Sequence, residues 1–323
     1  KGSSRFSNGY SSSWTIEPKL TYNSVISKGK LEAYLGATYQ RDNTNYQGFN
    51  ATQYGSDQVL TYIQAAGNVA LSGAGISQRR YGALFGHAGY IWDDKYVINA
   101  NARRDGSSRF GANNLFSDFW SVAGAWIFTQ EKLIKDNLPW LSFGKVNLSY
   151  GTTGSDGIGD YAFLNIYRPQ GSRYTYQGQT TYVNGLPNPN LQWEETRKIN
   201  AGFSLGFLKD RIVTRADYYR NRSSNQLLSY DLPPVTGNTN IVQNFPATVQ
   251  NSGWEFTLSV KAVQSQTFQW NSNFNISLNR NKLVSFPTLA TSSYATTYYV
   301  GQPIDRYYIY GYAGVNPQTG LYQ

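Results

Sequence analysis

Few residues in this 323-residue sequence can do catalytic or metal-ligating chemistry. There is one His and no Cys, which removes His-cluster sites, thiolate metal sites and disulfides together. His87 lies in a strand-like stretch with no acid–base motif around it, so a Ser/His/Asp constellation has no base to build on. Glu194 and Glu195 are adjacent, and an extended backbone sends them to opposite faces, where they cannot work as a glycosidase pair. The Asp93-Asp94 and Asp156/Asp160 pairs could attract calcium, but neither has the spacing of an oxygen-rich loop, and they read as turn residues. What remains is recognition chemistry, concentrated in the segment 153–192. There Tyr167, Tyr174, Tyr176 and Tyr182 can stack on sugar or peptide groups while Arg168, Arg173 and Gln177 donate hydrogen bonds. The same residues equally suit a Tyr-rich loop that touches only neighbouring loops or a capping protein. A second cluster, "DGSSRFG" at 105–111, reads as structural: Asp105 and Ser107 suit a local turn, Gly106 permits positive φ, and Arg109 is expected to pair with Asp105.

The elements that carry these residues are β-strands. Aromatics make up 16% of the chain and charged residues only 15%, with 31 Gly, a balance that favours strands and turns over helices. Phe268, Trp270, Phe274, Ile276 and Leu278 share one parity; Gln269, Asn271, Asn273, Asn275, Ser277 and Asn279 share the other. The same division separates Trp254, Phe256, Leu258 and Val260 from Glu255, Thr257, Ser259 and Lys261. It recurs around Leu31–Tyr39, Tyr96–Ala102 and Ile199–Phe207. No apolar run approaches the roughly 18 residues a spanning helix needs. The net charge of +9 is scattered among aromatics rather than gathered in basic runs, which argues against nucleic-acid binding.

The links between strands alternate in length. Short ones fall at 27–29, 93–94, 208–210 and 264–266; long ones at 41–79, 105–119, 153–192, 223–251 and 282–302. The link 130–142 is intermediate, occupies a short-link position and carries a helical turn at 131–137. About ten or eleven amphipathic strands with short turns at one end and long loops at the other describe a transmembrane antiparallel β-barrel, with extracellular loops and periplasmic turns. A soluble sandwich would keep both sets of links short and would not place aromatics such as Tyr90, Trp92 and Tyr96 at strand ends. On this reading the alternation of Tyr96–Ala102 stops at Arg103 because the strand leaves the hydrocarbon there.

Several segments, in order, carry a family resemblance. "RRDGSSRFG" (103–111), "FWSVAGAWIFTQEKL" (119–133), "LSFGKVNLSYGTTG" (141–154), "NPNLQWEETRKINAGFSLGFLKDRIVTRADYYRNRSSNQLL" (188–228), "NSGWEF" (251–256), "FQWNSNFNISLNRNKLV" (268–284) and "GQPIDRYYIYGYAGVNPQTG" (301–320) resemble the barrel of SusC/RagA-like TonB-dependent transporters of Bacteroidota. The segment "GSDGIGD" (154–160) differs from that family's usual amide-containing loop, and 41–79 carries no motif of the family. The resemblance implies a roughly 22-stranded, plugged barrel, of which residues 1–323 are the middle-to-late part, with plug, TonB box and closing strands outside the chain. It implies uptake of oligosaccharides or peptides across a Gram-negative outer membrane, no enzymatic activity and no cofactor. The partners it implies are a SusD-like lipoprotein, the TonB-ExbB-ExbD complex acting through the plug, outer-membrane lipid and lipopolysaccharide, and a larger outer-membrane assembly. A passive porin and a soluble carbohydrate-binding β-protein are the alternatives. The absence of Met has no physical account.

Overall fold

The alternating segments fold into one antiparallel sheet. The computed structural model describes residues 2–169, 175–177, 179–180, 182–184, 186–238, 240–306, 309 and 311–322. At one edge, β1 (Ser4–Ile16) and β2 (Lys19–Ile26) pair end to end with β3 (Gly29–Tyr54), broken at Glu17-Pro18 because proline cannot donate to the ladder. The sheet continues through β4 (Ala66–Trp92), β5 (Tyr96–Ser107), β6 (Phe116–Trp126) and β7 (Leu141–Ser155). Between β7 and the next long strand lie the small strands β8 (Tyr167–Pro169), β9 (Thr175–Tyr176), β10 (Gln179–Thr180) and β11 (Tyr182–Asn184). Next come β12 (Glu194–Phe207) and β13 (Ile212–Ser224), then a ribbon of β14 (Gln226–Asp231) and β15 (Asn240–Phe245). The main sheet ends with β16 (Thr248–Gln264) and β17 (Gln269–Ser285), for eleven strands in all. Among the described residues the apolar face of this sheet meets no second sheet, which removes the sandwich alternative.

Register aligns like with like. Val146, Phe203, Ala216, Phe256 and Ile276 stand on one rung, and Leu148, Ala201, Tyr218, Trp254 and Leu278 on the next. These side chains are exposed to the surroundings: Leu148 is 59%, Phe274 60% and Ile98 64% accessible. An apolar face this continuous has hydrocarbon as its natural solvent, and it is the outer face. Aromatics bound it at both ends, with Trp92, Tyr96, Trp126, Trp140 and Trp270 near the short turns and Trp120, Tyr150, Tyr218 and Trp254 toward the long loops. The opposite, inner face carries Asn, Ser, Lys and His. Among the described residues no helix is long and apolar enough to cross a membrane; α1 (Lys132–Asn137) is the short helical turn expected in the link 130–142.

The short turns depend on left-handed backbone. Asp93 and Asp94 have φ of 52° and 53°, a conformation that Asp tolerates, and Leu208, Lys209 and Asp210 are all left-handed too. Glycine is required where an aromatic ring lies over a neighbouring strand. A Cβ on Gly154 would sit 2.0 Å from Phe119 Cζ, and one on Gly36 would sit 2.4 Å from Phe85 Cζ.

Three expectations need correction. Most of 41–79 is strand, because β3 and β4 run to 26 and 27 residues and leave only 55–65 as a link. A span needs about ten residues, so both strands project far beyond the membrane. Likewise β5 continues past Arg103 to Ser107, and the link expected at 105–119 contracts to 108–115. Gly106 is not among the positive-φ residues; it pairs in register with Gly82 and Phe116, and its lack of a side chain makes room for the Phe116 ring.

The alternation of link lengths sets the topology. A cysteine placed at exposed Asn113 in the full-length protein is expected to react with a membrane-impermeant maleimide on intact cells, whereas one at Asp94 reacts only after the outer membrane is permeabilised. The reverse pattern inverts the orientation.

Candidate functional site

The expected contact residues fall in the small strands above β7. Tyr167, Arg168 and Tyr182 belong to a two-stranded ribbon in which Tyr182 is opposite Pro169, Val183 opposite Arg168 and Asn184 opposite Tyr167. Tyr176 pairs with Gln179, and Gln177 stands exposed at the turn between them with φ of 49°. Arg173 and Tyr174 lie outside the described residues. The backbone thus places Tyr167, Arg168 and Tyr182 in one ribbon and Tyr176 and Gln177 in another.

Below the ribbons is a locked base. Ser107 Oγ donates to Asp156 Oδ2 at 2.7 Å, and Arg79 Nη2 reaches the same oxygen at 2.7 Å. Arg79 also faces Asp42, which accepts from Ser13 and Gln40 on the inner parity of β1 and β3. Arg109 Nε donates to Asp160 Oδ1 at 2.8 Å, its Nη1 to the carbonyl of Asp156 at 3.0 Å, and Ser77 Oγ donates to Asp160. The expected Arg109–Asp105 pair does not form. Asp105 instead accepts from Arg103, two residues back on the same face of β5, and Arg103 also donates to the Tyr81 hydroxyl at 2.8 Å. The side chains of "DGSSRFG" thus bond to a distant loop rather than closing a turn on themselves.

Apolar packing completes the base. Phe110, Leu191, Ile158, Trp193 and Phe119 form a buried cluster; Phe110 and Trp193 ring centroids are 5.0 Å apart, and Phe119 meets Trp193 edge-on at 5.9 Å. Trp193 Nε1 donates to the Leu115 carbonyl, so its polar atom is satisfied. Both ends of the loop 156–193 are therefore fixed. The β14–β15 ribbon leans on the same cluster through Leu227 and Val242, and the Asn244 side-chain amide accepts from the Gln192 backbone N–H and donates to the Gln192 carbonyl, both at 2.8 Å. Sequence reading placed Asp156 and Asp160 only as turn residues and missed Leu191 and Trp193. Their signal was the acidic pair at a four-residue spacing opposite an arginine-rich motif.

Burial pushes the Asp160 carboxyl up, but hydrogen bonds from Ser77 and Arg109 and the charges of Arg109 and Arg79 outweigh it and hold the group below its ordinary value of 3.8. A depressed folded value stabilises the loop fully above pH 3.8, and that contribution is lost as pH falls through the depressed value. A spin label at Gly159, where added atoms meet open space, is expected to stay immobile from pH 8 to 4 and to loosen only in stronger acid. Loosening near pH 6 refutes this.

On the inner face, a groove of about 1250 Å³ opens between β12, β13, β16 and β17, bordered by Lys198, Asn200, Tyr219, Asn221, Asn279 and Asn281. Tyr219 donates to Asn279 Oδ1 at 2.7 Å and Asn281 donates to Asn251 at 2.6 Å, within a wall of amides and hydroxyls that also carries Lys198, Glu255, Arg280, Lys282 and Asp305. Among the described residues that line it, no Ser or Lys is bonded to Glu255 or Asp305. His87 is stacked on Tyr34 at 4.8 Å and bonded to Asn101, and Glu195 is held by Arg197.

With the sheet and its two faces established, comparison places the chain. Residues 2–320 match the family model described as TonB dependent receptor-like, beta-barrel. The chain belongs to this family. A TonB-dependent receptor of Formosa agariphila is 30% identical over 272 residues, 82% of this chain and 25% of that protein. The TonB-dependent receptor SusC of Bacteroides thetaiotaomicron is 34% identical over 232 residues, 69% of this chain and 22% of that protein. The solved RagAB peptide transporter superposes with a TM-score of 0.84 at 24% identity, over 98% of this chain and 35% of the transporter chain. The chain thus spans about a quarter of the curated relatives' length and about a third of the structural one. It is outer-membrane receptor barrel, its apolar face set against lipid.

Proposed function

We propose that the chain forms a wall of a TonB-dependent importer of oligosaccharides or peptides that works with a SusD-like surface lipoprotein. The observation that carries this reading is the pairing of an apolar outer face with an amide-lined inner groove, beneath loops that are locked at their base. Such a groove offers many weak, exchangeable hydrogen bonds to a neutral polar oligomer, which suits passage better than tight capture. The names of two relatives, SusC and a peptide transporter, agree with it. Tyr167, Arg168, Arg173, Tyr174, Tyr176, Gln177 and Tyr182 are then the outer contacts for ligand or lipoprotein. The rest of the polypeptide supplies the plug and the TonB box through which TonB-ExbB-ExbD acts.

The test is growth of the source strain on defined oligosaccharides or peptides as sole carbon source after deletion of the full-length gene. Restoration by the intact gene, with failure of a version lacking the TonB box, is expected. Growth that the version lacking the TonB box restores equally well shows a passive porin instead.

A further inference from the structure

The motif "GQPID" at 301–305 takes no part in the strand ladder of the wall. It folds into a turn that is fastened to its own neighbours, with the Gln302 N–H donating to the Tyr299 carbonyl at 3.1 Å and Arg306 Nη1 donating to Gln302 Oε1 at 2.9 Å. The turn docks on the upper end of β17. Gly301 N–H donates to the Leu283 carbonyl at 2.7 Å, Leu283 N–H to the Gln302 carbonyl at 2.8 Å, and Ile304 N–H to Asn281 Oδ1 at 3.0 Å. Gly301, Pro303 and Asp305 thereby line the inner groove beside Asn279 and Asn281.

The groove thus has two kinds of wall. Its floor is β12, β13, β16 and β17, joined by continuous antiparallel ladders. Its side is a turn docked through three hydrogen bonds, and residues 301–305 are all exposed, so little apolar burial reinforces them. Exposed backbone bonds with little burial behind them belong to the part of a protein that opens first. The side wall yields before the floor does.

The two ends of the turn differ. Upstream, Tyr298 packs on the buried cluster of Phe245, Val249, Leu283 and Phe286 and stacks on Tyr294 at 5.6 Å, which anchors the chain as it enters. Immediately after that anchor, Gly301 has φ of 88°, a left-handed conformation that a side chain strains, although a Cβ there would meet only open space. Pro303 holds its own φ fixed, so the turn beyond Gly301 is stiff. A rigid turn next to one permissive residue has the form of a flap on a hinge.

Asn281 joins the two walls. Its Nδ2 donates to Asn251 Oδ1 at 2.6 Å in the floor, while its Oδ1 accepts from Ile304 of the turn. A polar oligomer that bonds to this amide therefore competes with the turn for it.

We propose that Gly301–Asp305 is a movable side wall of the inner groove, hinged at Gly301 and latched by Asn281, and that its position sets how wide an oligomer the groove admits. Seated, it narrows the groove; released, it makes room for a wider chain. Asn281 is a positioning residue for the turn. The identity of what passes rests on the import reading, whereas the movement is measured without substrate.

The full-length protein is purified in mild detergent with any other cysteine replaced. A spin label on Asp305→Cys reports the turn, and in a second preparation the thiol of Asn221→Cys, which lines the groove, reports access to it. The label is expected to be immobile in the otherwise unchanged protein, mobile with Asn281→Ala or Gly301→Ala, and immobile again with Asn281→Asp, whose carboxylate still accepts from Ile304 N–H. With Asn281→Ala or Gly301→Ala, the Asn221→Cys thiol is expected to react roughly 2- to 10-fold faster with a maleimide carried on a bulky polyethylene glycol, the range that one hydrogen bond controls. Its rate with the small reagent N-ethylmaleimide is expected to stay the same. A label that is mobile without either substitution, or equally immobile in every variant, overturns the proposal. Equal acceleration of both reagents also overturns it, by showing a groove loosened throughout rather than one wall displaced. Gly301→Ala alters no side chain of the floor, so its result stands even where Asn281→Ala fails to fold. A passive porin revealed by the growth test leaves these readouts intact, so failure of the import reading and failure of the movable wall are told apart.

Discussion

Leu258→Arg is expected to destabilise the folded full-length barrel by about 2–4 kcal/mol, while Thr257→Arg, one residue away, changes stability little. Leu258 stands on the outer face between Thr214 and Phe274, within the apolar band and one rung from its middle. A guanidinium there must lose its hydration or drag water and headgroups inward, and the cost falls off toward either interface. Thr257 has the opposite parity. Its neighbours across the strands are Arg215 and Asn275, and Glu255 and Asp217 share its face, so charge already stands in water there. Urea unfolding in phospholipid vesicles measures both variants. Equal losses show that the sheet does not have one lipid face and one wet face, which removes the physical basis for the membrane assignment. A greater loss at Thr257 reverses the faces.

That pair of variants also marks where the sequence was informative. Inside the membrane the two faces meet different solvents, so side chains segregate with a period of two, and Leu31–Tyr39, Tyr96–Ala102, Trp254–Val260 and Phe268–Leu278 could be read as strands with their facing known. Outside the membrane both faces are wet and segregation is not required. "RDNTNY" at 41–46 and "GAGISQ" at 73–78 are consequently strand with no strand-like pattern, 43–46 of β3 pairing with 75–78 of β4. The turn positions were legible from length alone, since Asp93-Asp94 and Leu208–Asp210 had to reverse the chain in two or three residues.

The site was legible in type but not in pairing. Arg109 was expected to pair within its own motif, yet its partner Asp160 lies 51 positions away. Proximity in sequence favoured Asp105, which the backbone instead aligns with Arg103 through the two-residue repeat of β5. Long-range ion pairs are chosen by topology, and only the register of β4, β5 and β7 brings Asp156 and Asp160 over Ser77, Arg79 and Ser107. Trp193 and Leu191 were missed for a related reason. Their short apolar stretch sits beside Pro and Asn residues without any periodicity, and the partner that buries them, Phe110, is supplied by another loop.

Phe110→Ala is expected to cost about 3–5 kcal/mol, the usual penalty for truncating a buried aromatic that its surroundings cannot collapse to fill. Phe110 is 1% exposed and Leu191 is 0% exposed beside it, with the Trp193 ring tilted against it at 5.0 Å and Ile158 closing the cluster. The loss falls on the loop rather than on the wall, because the main strands are held by their own ladder and their outer face has no contact with this cluster. Arg109→Ala should cost less, about 1–3 kcal/mol, since Asp156 and Asp160 keep Arg79, Ser77 and Ser107 as partners. Both variants release the same segment, so limited proteolysis on intact cells should show new cleavage within 156–193, faster for Phe110→Ala. Heat-modifiable migration of the full-length barrel should persist in both. If the order of the two variants is reversed, ion pairing rather than apolar packing holds the loop base. If Phe110→Ala abolishes heat-modifiable migration, the cluster is part of the cooperative fold of the barrel, and a loop that cannot open separately from the wall cannot adjust to ligand or lipoprotein.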